Sequence, residues 1–226
     1  MSDESAESET ETLSDKYLRD IILSFIIAGR DTTACLMTWM WLELSRKGHE
    51  HILSNLVAEI DAAFPKGTKP SYDKVVKLDY LRGVVYEVLR VHPVVAITML
   101  TSVEDCTLPD GSFIPADTNI GISSYSMGKR KQRWGEDVDV FRPERHIPFT
   151  NPSPYEFPVF KGGHRLCLGM NMAIFEASCL TSALLQHFTF QLAPDRDYTY
   201  SLKITNAPSN VETMEDELIV RAIPRK

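Results

Sequence analysis

A single cysteine stands in a glycine-rich loop just before the last predicted helix of the chain. Residues 160–169 read Phe-Lys-Gly-Gly-His-Arg-Leu-Cys-Leu-Gly, and the cysteine is Cys167. A thiol at a helix N-terminus lies at the positive end of the helix dipole, which favours the thiolate, as does a bound metal. Glycines let backbone amides approach the sulfur closely. The loop therefore suits a metal-ligating thiolate, although taken alone it fits a buried structural cysteine better.

Two oppositely charged residues form a second pattern. Glu87 and Arg90 are three positions apart in a predicted helix, so their side chains share one face. Helices carry such pairs commonly, and the pair alone indicates a solvated surface ion pair. The segment Phe-Arg-Pro-Glu-Arg, residues 141–145, lies downstream and contains a further arginine, Arg145.

A third pattern, Ala-Gly-Arg-Asp-Thr-Thr at residues 28–33, lies inside the longest predicted helix. A pair of small residues followed by threonines often marks only a close crossing of two helices. The carboxylate of Asp31 and the hydroxyl of Thr32 are also groups that can transfer protons. Both interpretations stay open from the residues alone.

Helices must position all three patterns. Ser14 is a plausible N-cap for a long helix that ends near Gly48, because apolar side chains recur at three- and four-residue steps. Further helices are predicted over residues 49–64, 72–91 and 170–187. Short strands are predicted around Phe113, over residues 118–123, and two or three times after residue 187. Recurrent prolines between residues 134 and 160 predict an ordered meander.

Charge and cysteine content narrow the class of partner. The formal net charge of −7 and the pI near 5.4 argue against nucleic acid, since phosphate binding depends on Lys and Arg. Four cysteines lie far apart without a CxxC pair, which argues against a zinc knuckle or a disulfide framework and favours a reducing compartment. Residues 1–13 are predicted to be a disordered acidic lead-in, and residues 14–226 the folded part.

One stretch, residues 21–44, is long and apolar enough to suggest a membrane span. Arg30 and Asp31 lie at its middle, and each would cost about 2.5 to 3.5 kcal/mol there. We therefore expect a buried core helix, no membrane anchor and a cytoplasmic location for this chain.

The cysteine loop resembles the FxxGxRxCxG haem-binding signature of the cytochrome P450 superfamily. The matching residues are Phe160, Gly163, Arg165, Cys167 and Gly169. The resemblance implies that Cys167 is the axial ligand of the iron of haem b. It also implies that Phe160 shields the sulfur and that Arg165 pairs with a haem propionate.

The acidic and basic residues of the second pattern resemble the ExxR and PER elements of the same family. The resemblance implies that Glu87, Arg90 and Arg145 form a buried structural cluster under the haem, which is costly unless all its partners are present.

Residues 28–33 resemble the AGxDTT oxygen-activation motif of the family. The resemblance implies that Ala28 and Gly29 border the haem and leave room for dioxygen, while Asp31 and Thr32 relay protons during its activation. An intact Asp31-Thr32 pair favours monooxygenation over haem-thiolate isomerases and dehydratases.

The implied fold is mainly α with small β elements, the C-terminal haem-binding half of the cytochrome P450 fold. The implied activity is insertion of one oxygen atom from O2 into a C–H bond of a lipophilic small molecule, with electrons from NADPH through a flavin reductase. Residues 21–34 and 123–145 look most like the fatty-acid ω-hydroxylase branch, which implies a fatty acid as substrate.

The chain departs from the family in several respects. Family chains are about twice as long and sit at the cytosolic face of the endoplasmic reticulum membrane, so a non-catalytic truncated fragment or haem-binding remnant is the alternative. Leu100 replaces a basic residue near a propionate, and His164 replaces a proline. The basic run over residues 129–133 fits either reductase docking or a solvated turn.

Overall fold

The computed structural model describes residues 13–65, 67–193, 200–204, 209–214 and 218–225. Within them the fold is mainly α with small β-sheets, as predicted. The helices are α1 (Asp15–Ser45), α2 (Glu50–Ala63), α3 (Tyr72–Val75), α4 (Asp79–Val91), α5 (Ser124–Gly128), α6 (Lys131–Trp134) and α7 (Met170–His187). The strands are β1 (Val95–Thr101), β2 (Cys106–Thr107), β3 (Phe113–Ile114), β4 (Asn119–Ser123), β5 (Phe188–Leu192), β6 (Tyr200–Ile204), β7 (Ser209–Met214) and β8 (Val220–Pro224).

The long helix α1 begins at its predicted cap. Ser14 Oγ accepts a hydrogen bond from Tyr17 N at 3.3 Å, which satisfies one of the unpaired amides of the first turn. The C-terminal half of α1 contacts α4 and α7 and buries Leu36, Trp39 and Met40. This half is the core helix that the sequence predicts.

The N-terminal half of α1 is exposed, so the prediction of a core helix over residues 21–44 is wrong for this half. Its apolar side chains point in all directions around the axis, and Phe25 is 49% and Ile27 71% exposed. A helix that is apolar all round requires cover from further protein or from lipid. Among the described residues, α1 is the one helix whose length and composition would suffice to cross a membrane.

The helix predicted over residues 72–91 is divided into α3 and α4. Leu78 is in an extended conformation and precedes α4. Glu59 of α2 then accepts hydrogen bonds from the amides of Tyr80 at 2.8 Å and Leu81 at 2.9 Å. A carboxylate from a neighbouring helix thus caps α4, which a pattern within residues 72–91 does not reveal.

Three small antiparallel sheets complete the fold. One has the order β4-β1-β7-β6, and the other two are the pairs β2-β3 and β5-β8. The sequence missed β1 and predicted two or three strands after residue 187, where the described residues form four. These sheets flank a core built from the C-terminal half of α1 with α2, α4 and α7; its fully buried side chains include Trp39, Leu56, Leu81 and Leu185.

Candidate functional site

Glu87 and Arg90 lie inside the protein, so the interpretation of this pair as a solvated surface ion pair is wrong. Both side chains are 0% exposed. Arg90 Nε and Nη2 donate to the two oxygens of Glu87, each at 2.8 Å, which is a bidentate charged pair. Arg90 Nη1 donates to the carbonyls of Gly128 and Val138, each at 2.8 Å. The guanidinium therefore joins α4 to α5 and to the meander.

Arg145 is the third member of this arrangement. Its Nε donates to Glu87 Oε1 at 3.1 Å, and its Nη1 donates to Asp137 Oδ1 at 2.9 Å and to the Trp134 carbonyl at 2.8 Å. Arg145 belongs to a 3-10 turn, Pro143–His146, that packs closely on α4. The structure thus brings Glu87, Arg90 and Arg145 together.

Three further groups complete this arrangement, and sequence reasoning missed them. The amide of Arg142 donates to Glu87 Oε1 at 2.8 Å, and His146 Nε2 lies 3.1 Å from Glu87 Oε2. The hydrogen bond from Arg145 holds the pKa of Asp137 below its usual value. The only sequence feature that pointed to His146 was its position directly after Arg145. We call Glu87, Arg90, Asp137, Arg145 and His146 the Glu87 cluster.

Glu87 is ionised at neutral pH despite its burial. Burial alone would raise the pKa of this carboxyl, because a low-dielectric interior disfavours charge. The hydrogen bonds from Arg90, His146 and the Arg142 amide, together with the charge of Arg90, outweigh it and lower the pKa to about 2. The cluster is therefore a compensated ionic network.

The cysteine loop, residues 160–169, holds its thiol beside the start of α7. Lys161 and Gly163 adopt positive φ angles of 63° and 59°, which turn the chain twice. Cys167 N then donates to the Phe160 carbonyl at 2.9 Å and closes the loop. A Cβ added to Gly169 would lie 3.9 Å from Cys167 Sγ, which places the sulfur next to the first residues of the helix.

The side chains of this loop divide between the core and the surface. Phe160 is partly buried and packs against the core. The Cys167 thiol is exposed, so the interpretation of a buried structural cysteine is wrong. Arg165 is also exposed, and its guanidinium makes no hydrogen bond or ion pair among the described residues. Leu168 is 90% exposed, an unusual degree for an apolar side chain beside a buried core.

The α1 motif, residues 28–33, lies on the boundary between the exposed and buried halves of α1. Thr32 Oγ1 donates to the Ala28 carbonyl at 2.7 Å, and the exposed Asp31 pairs with Arg30 at 3.6 Å. Thr33 is buried, and its hydroxyl has no partner among the described residues. A Cβ added to Gly29 would meet no described atom within 4 Å. The small residues therefore do not mark a helix crossing in the described part of the chain.

The α1 motif and the cysteine loop are not joined directly. No hydrogen bond or ion pair between them occurs among the residues that the structure describes. The two are related through packed helices, since α1 contacts α7, and Thr181 Oγ1 lies 3.7 Å from Met40 Sδ at that contact.

The departures noted in the sequence all lie at the surface. Leu100 is 41% exposed on β1, and His164 is exposed in the cysteine loop. The basic run is largely paired with acidic side chains: Lys131 with Glu136 at 2.8 Å, Arg133 with Glu156 at 3.1 Å and Lys129 with Asp139 at 4.0 Å. This pairing favours the solvated turn over a free positive docking surface.

The family model for Cytochrome P450 matches residues 1–212 of the chain. The chain belongs to the cytochrome P450 family. It is 35% identical over 205 residues to cytochrome P450 CYP94D108 of Paris polyphylla, covering 84% of this chain and 41% of that protein. It is 34% identical over 203 residues to cytochrome P450 52A6 of Candida tropicalis, covering 83% of this chain and 38% of that protein. Cytochrome P450 94C1 of Arabidopsis thaliana is 33% identical over 186 residues, covering 79% of this chain and 37% of that protein.

The chain thus spans about two fifths of the length of these cytochrome P450 relatives. The residues present fit the haem that the family implies. An exposed thiol beside a helix N-terminus is a suitable iron ligand, and the unpaired guanidinium of Arg165 two residues earlier suits a carboxylate. The exposed apolar Leu168 suits contact with a flat apolar ring system.

Proposed function

We propose that this chain provides the haem-thiolate site of a monooxygenase that inserts one oxygen atom from O2 into a C–H bond of a lipophilic substrate. The observation that carries the proposal is the exposed Cys167 thiol at the start of α7, fixed by the bond from its amide to the Phe160 carbonyl. A haem b bound there would supply dioxygen activation, with electrons from NADPH through a flavin reductase.

The residues of the cysteine loop bind and orient the cofactor in this proposal. Cys167 provides the sulfur ligand, and the positive end of α7 favours its thiolate form. Arg165 provides a fork of donors for a propionate. Phe160 shields the sulfur, and Gly163 and Gly169 shape the loop. The backbone bond between residues 160 and 167 keeps these groups in fixed relation.

The α1 motif would supply the groups that move protons in the proposed reaction. The Thr32 hydroxyl proton is held by the Ala28 carbonyl, so its oxygen remains available to accept a further hydrogen bond. Asp31 is exposed and can exchange protons with solvent.

A fatty acid hydroxylated at its ω end is the proposed substrate. The support is the resemblance of residues 21–34 and 123–145 to the fatty-acid ω-hydroxylase branch. The same resemblance implies the cytosolic face of the endoplasmic reticulum membrane as the location of the protein.

The deciding experiment is Cys167→Ser in the haem-loaded protein, produced at the full length that its transcript encodes. Only thiolate ligation gives the strongly red-shifted carbon monoxide complex of ferrous haem, so we expect the variant to lose it. Cys106→Ser is the matched control, because Cys106 is also exposed but lies on β2. His164→Pro should leave the spectrum unchanged. An unchanged spectrum in Cys167→Ser, or a loss in His164→Pro, would remove Cys167 as the ligand.

A haem-binding remnant without turnover is the second candidate. It is favoured by the exposed apolar half of α1, which exceeds what soluble monomers usually leave uncovered. We expect the 226-residue chain, expressed alone, to self-associate and to hold haem weakly. Haem titration followed by gel filtration and a fatty-acid assay with NADPH and reductase tests this. A monomeric chain with one tightly bound haem and turnover would show that it is a sufficient catalytic unit.

A further inference from the structure

His146 is the member of the Glu87 cluster that contacts the segment leading into the cysteine loop. Its side chain is 7% exposed, and its Nε2 lies 3.1 Å from Glu87 Oε2. An ionised carboxylate only accepts hydrogen bonds, so Nε2 must carry the proton of this bond. His146 is thus a donor to Glu87, and its ring is oriented by that bond.

Three aromatic side chains surround the ring of His146. Its centroid lies 5.8 Å from that of Trp134, 6.2 Å from that of Tyr86 and 6.5 Å from that of Phe157. Phe157 is 5% exposed and also contacts Trp134, with centroids 5.7 Å apart. Large rings in fixed contact transmit a displacement, because a packed interior leaves them little free space.

Phe157 directly precedes the 3-10 turn Pro158–Phe160. The carbonyl of Phe160 accepts the hydrogen bond from Cys167 N at 2.9 Å. The path from Glu87 to the thiol therefore consists of one charged hydrogen bond, one ring contact, three peptide links and one backbone hydrogen bond.

We propose that His146 is a positioning residue for Cys167: it couples Glu87 on α4 to the cysteine loop through Phe157. Arg90 and Arg145 bind the same carboxylate, but their remaining donors bind backbone carbonyls and the Asp137 carboxylate within residues 128–140. The consequence for the iron ligand rests on the proposed function, whereas the coupling itself does not.

The test separates the donor from the ring. His146→Phe keeps a ring against Phe157 and removes the donor, while His146→Gln keeps an amide donor close to the position of Nε2. His51→Phe is the control, because His51 is an exposed histidine on α2 outside the cluster. Hydrogen exchange of the peptide covering residues 160–169 is measured in each variant and compared with a peptide of α2.

We expect His146→Phe to speed exchange of the Cys167 amide about tenfold, within the effect of one charged hydrogen bond, with α2 unchanged. His146→Gln should restore most of the protection, and His51→Phe should equal wild type. Unchanged exchange in His146→Phe, or an equal increase in α2, would overturn the proposal. If His146→Phe does not fold, Phe157→Leu, which removes the ring contact with His146, must show faster exchange confined to residues 160–169.

A second readout uses the haem-loaded protein at the full length that its transcript encodes. We expect the carbon monoxide complex of His146→Phe to lose its thiolate form faster than that of wild type or His51→Phe. If wild type itself shows no thiolate complex, the proposed function fails, but the exchange experiment still decides the role of His146.

Discussion

The Glu87 cluster differs from the exposed polar groups of the cysteine loop and the α1 motif in how far the described residues of this cytochrome P450 chain provide partners. In the cluster, Glu87 and Arg90 are fully buried and every charged group pairs with an opposite charge. In the cysteine loop and the α1 motif, the thiol of Cys167, the guanidinium of Arg165 and the carboxylate of Asp31 are exposed. Apolar side chains beside them, such as Leu168, are exposed as well.

This difference separates the charged groups that the chain pairs with its own residues from the groups that it leaves exposed. A buried ionic network stabilises a fold only if all its charged groups have their partners. Here the partners that we identify all belong to this chain. Exposed apolar, cationic and thiol groups add little to the stability of the chain by itself, because no complementary group among the described residues contacts them. The cluster therefore stabilises the fold, and the loop and the α1 motif form the binding face that we propose.

The largest effect that would test this comparison is expected for Glu87→Gln. The change leaves the guanidiniums of Arg90 and Arg145 buried without their shared carboxylate. Removing one partner of a buried pair typically costs about 3 to 5 kcal/mol, so we expect a loss of this size in the free energy of unfolding measured with urea. Glu136→Gln removes an exposed ion pair with Lys131 and should change stability by less than about 1 kcal/mol. Similar losses in both variants would contradict the comparison.

A Cβ at Gly128 should have the next largest effect. Such a Cβ would lie 2.3 Å from the Arg90 carbonyl oxygen, and the carbonyl of Gly128 itself binds Arg90. We therefore expect Gly128→Ala to cost about 3 kcal/mol, because backbone must move in a packed site. Gly121→Ala on β4 is the control, since its nearest contact would be an ordinary 3.5 Å to Met99 Sδ. Equal urea midpoints for the two variants would show that α5 can shift freely against α4.

Acid should weaken the cluster in a defined pH window. The pKa of Glu87 is about 2 in the folded protein against an ordinary value of 4.5, so its contribution is complete above pH 4.5. It is lost as the pH falls from 4.5 towards 2, because the unfolded state then binds the proton more readily. We expect the stability of wild type to fall more steeply in this window than that of Glu87→Gln. Parallel curves would show that Glu87 is not the titrating group.

Local patterns in the sequence were sufficient for elements whose determinants lie close together in the chain. α7 occupies the range predicted for it, because a glycine precedes it and its own residues define its period. The Ser14 cap of α1 is also a local interaction. The resemblance to family motifs brought Glu87, Arg90 and Arg145 together in the prediction, which spacing alone did not.

Non-local contacts explain what the sequence did not predict. The break before α4 depends on Glu59 of another helix, and β1 depends on pairing with β4 and β7. The role of His146 could not be predicted from its own segment, because it depends on a contact with Glu87 of α4. The exposure of the first half of α1 could not be predicted either. Its side chains are apolar on all sides of the helix, so the sequence does not indicate which side packs against the rest of the protein.

The smallest effect on stability is expected for Gly29→Ala. An added Cβ there meets no described atom within 4 Å, and alanine is favoured over glycine inside a helix by about 1 kcal/mol. The variant should therefore be slightly more stable than wild type in urea. If Gly29 borders the dioxygen site as we propose, the same methyl group occupies part of that site, so product formed per NADPH in the haem-loaded, full-length protein should fall. Ala34→Gly is the matched control, an exposed position on the same helix that should lose about 1 kcal/mol and keep its product yield. A loss of stability in Gly29→Ala would show that another segment packs against this glycine. A gain in stability with an unchanged product yield would remove Gly29 from the dioxygen site and leave the exposed face of α1 as a packing surface.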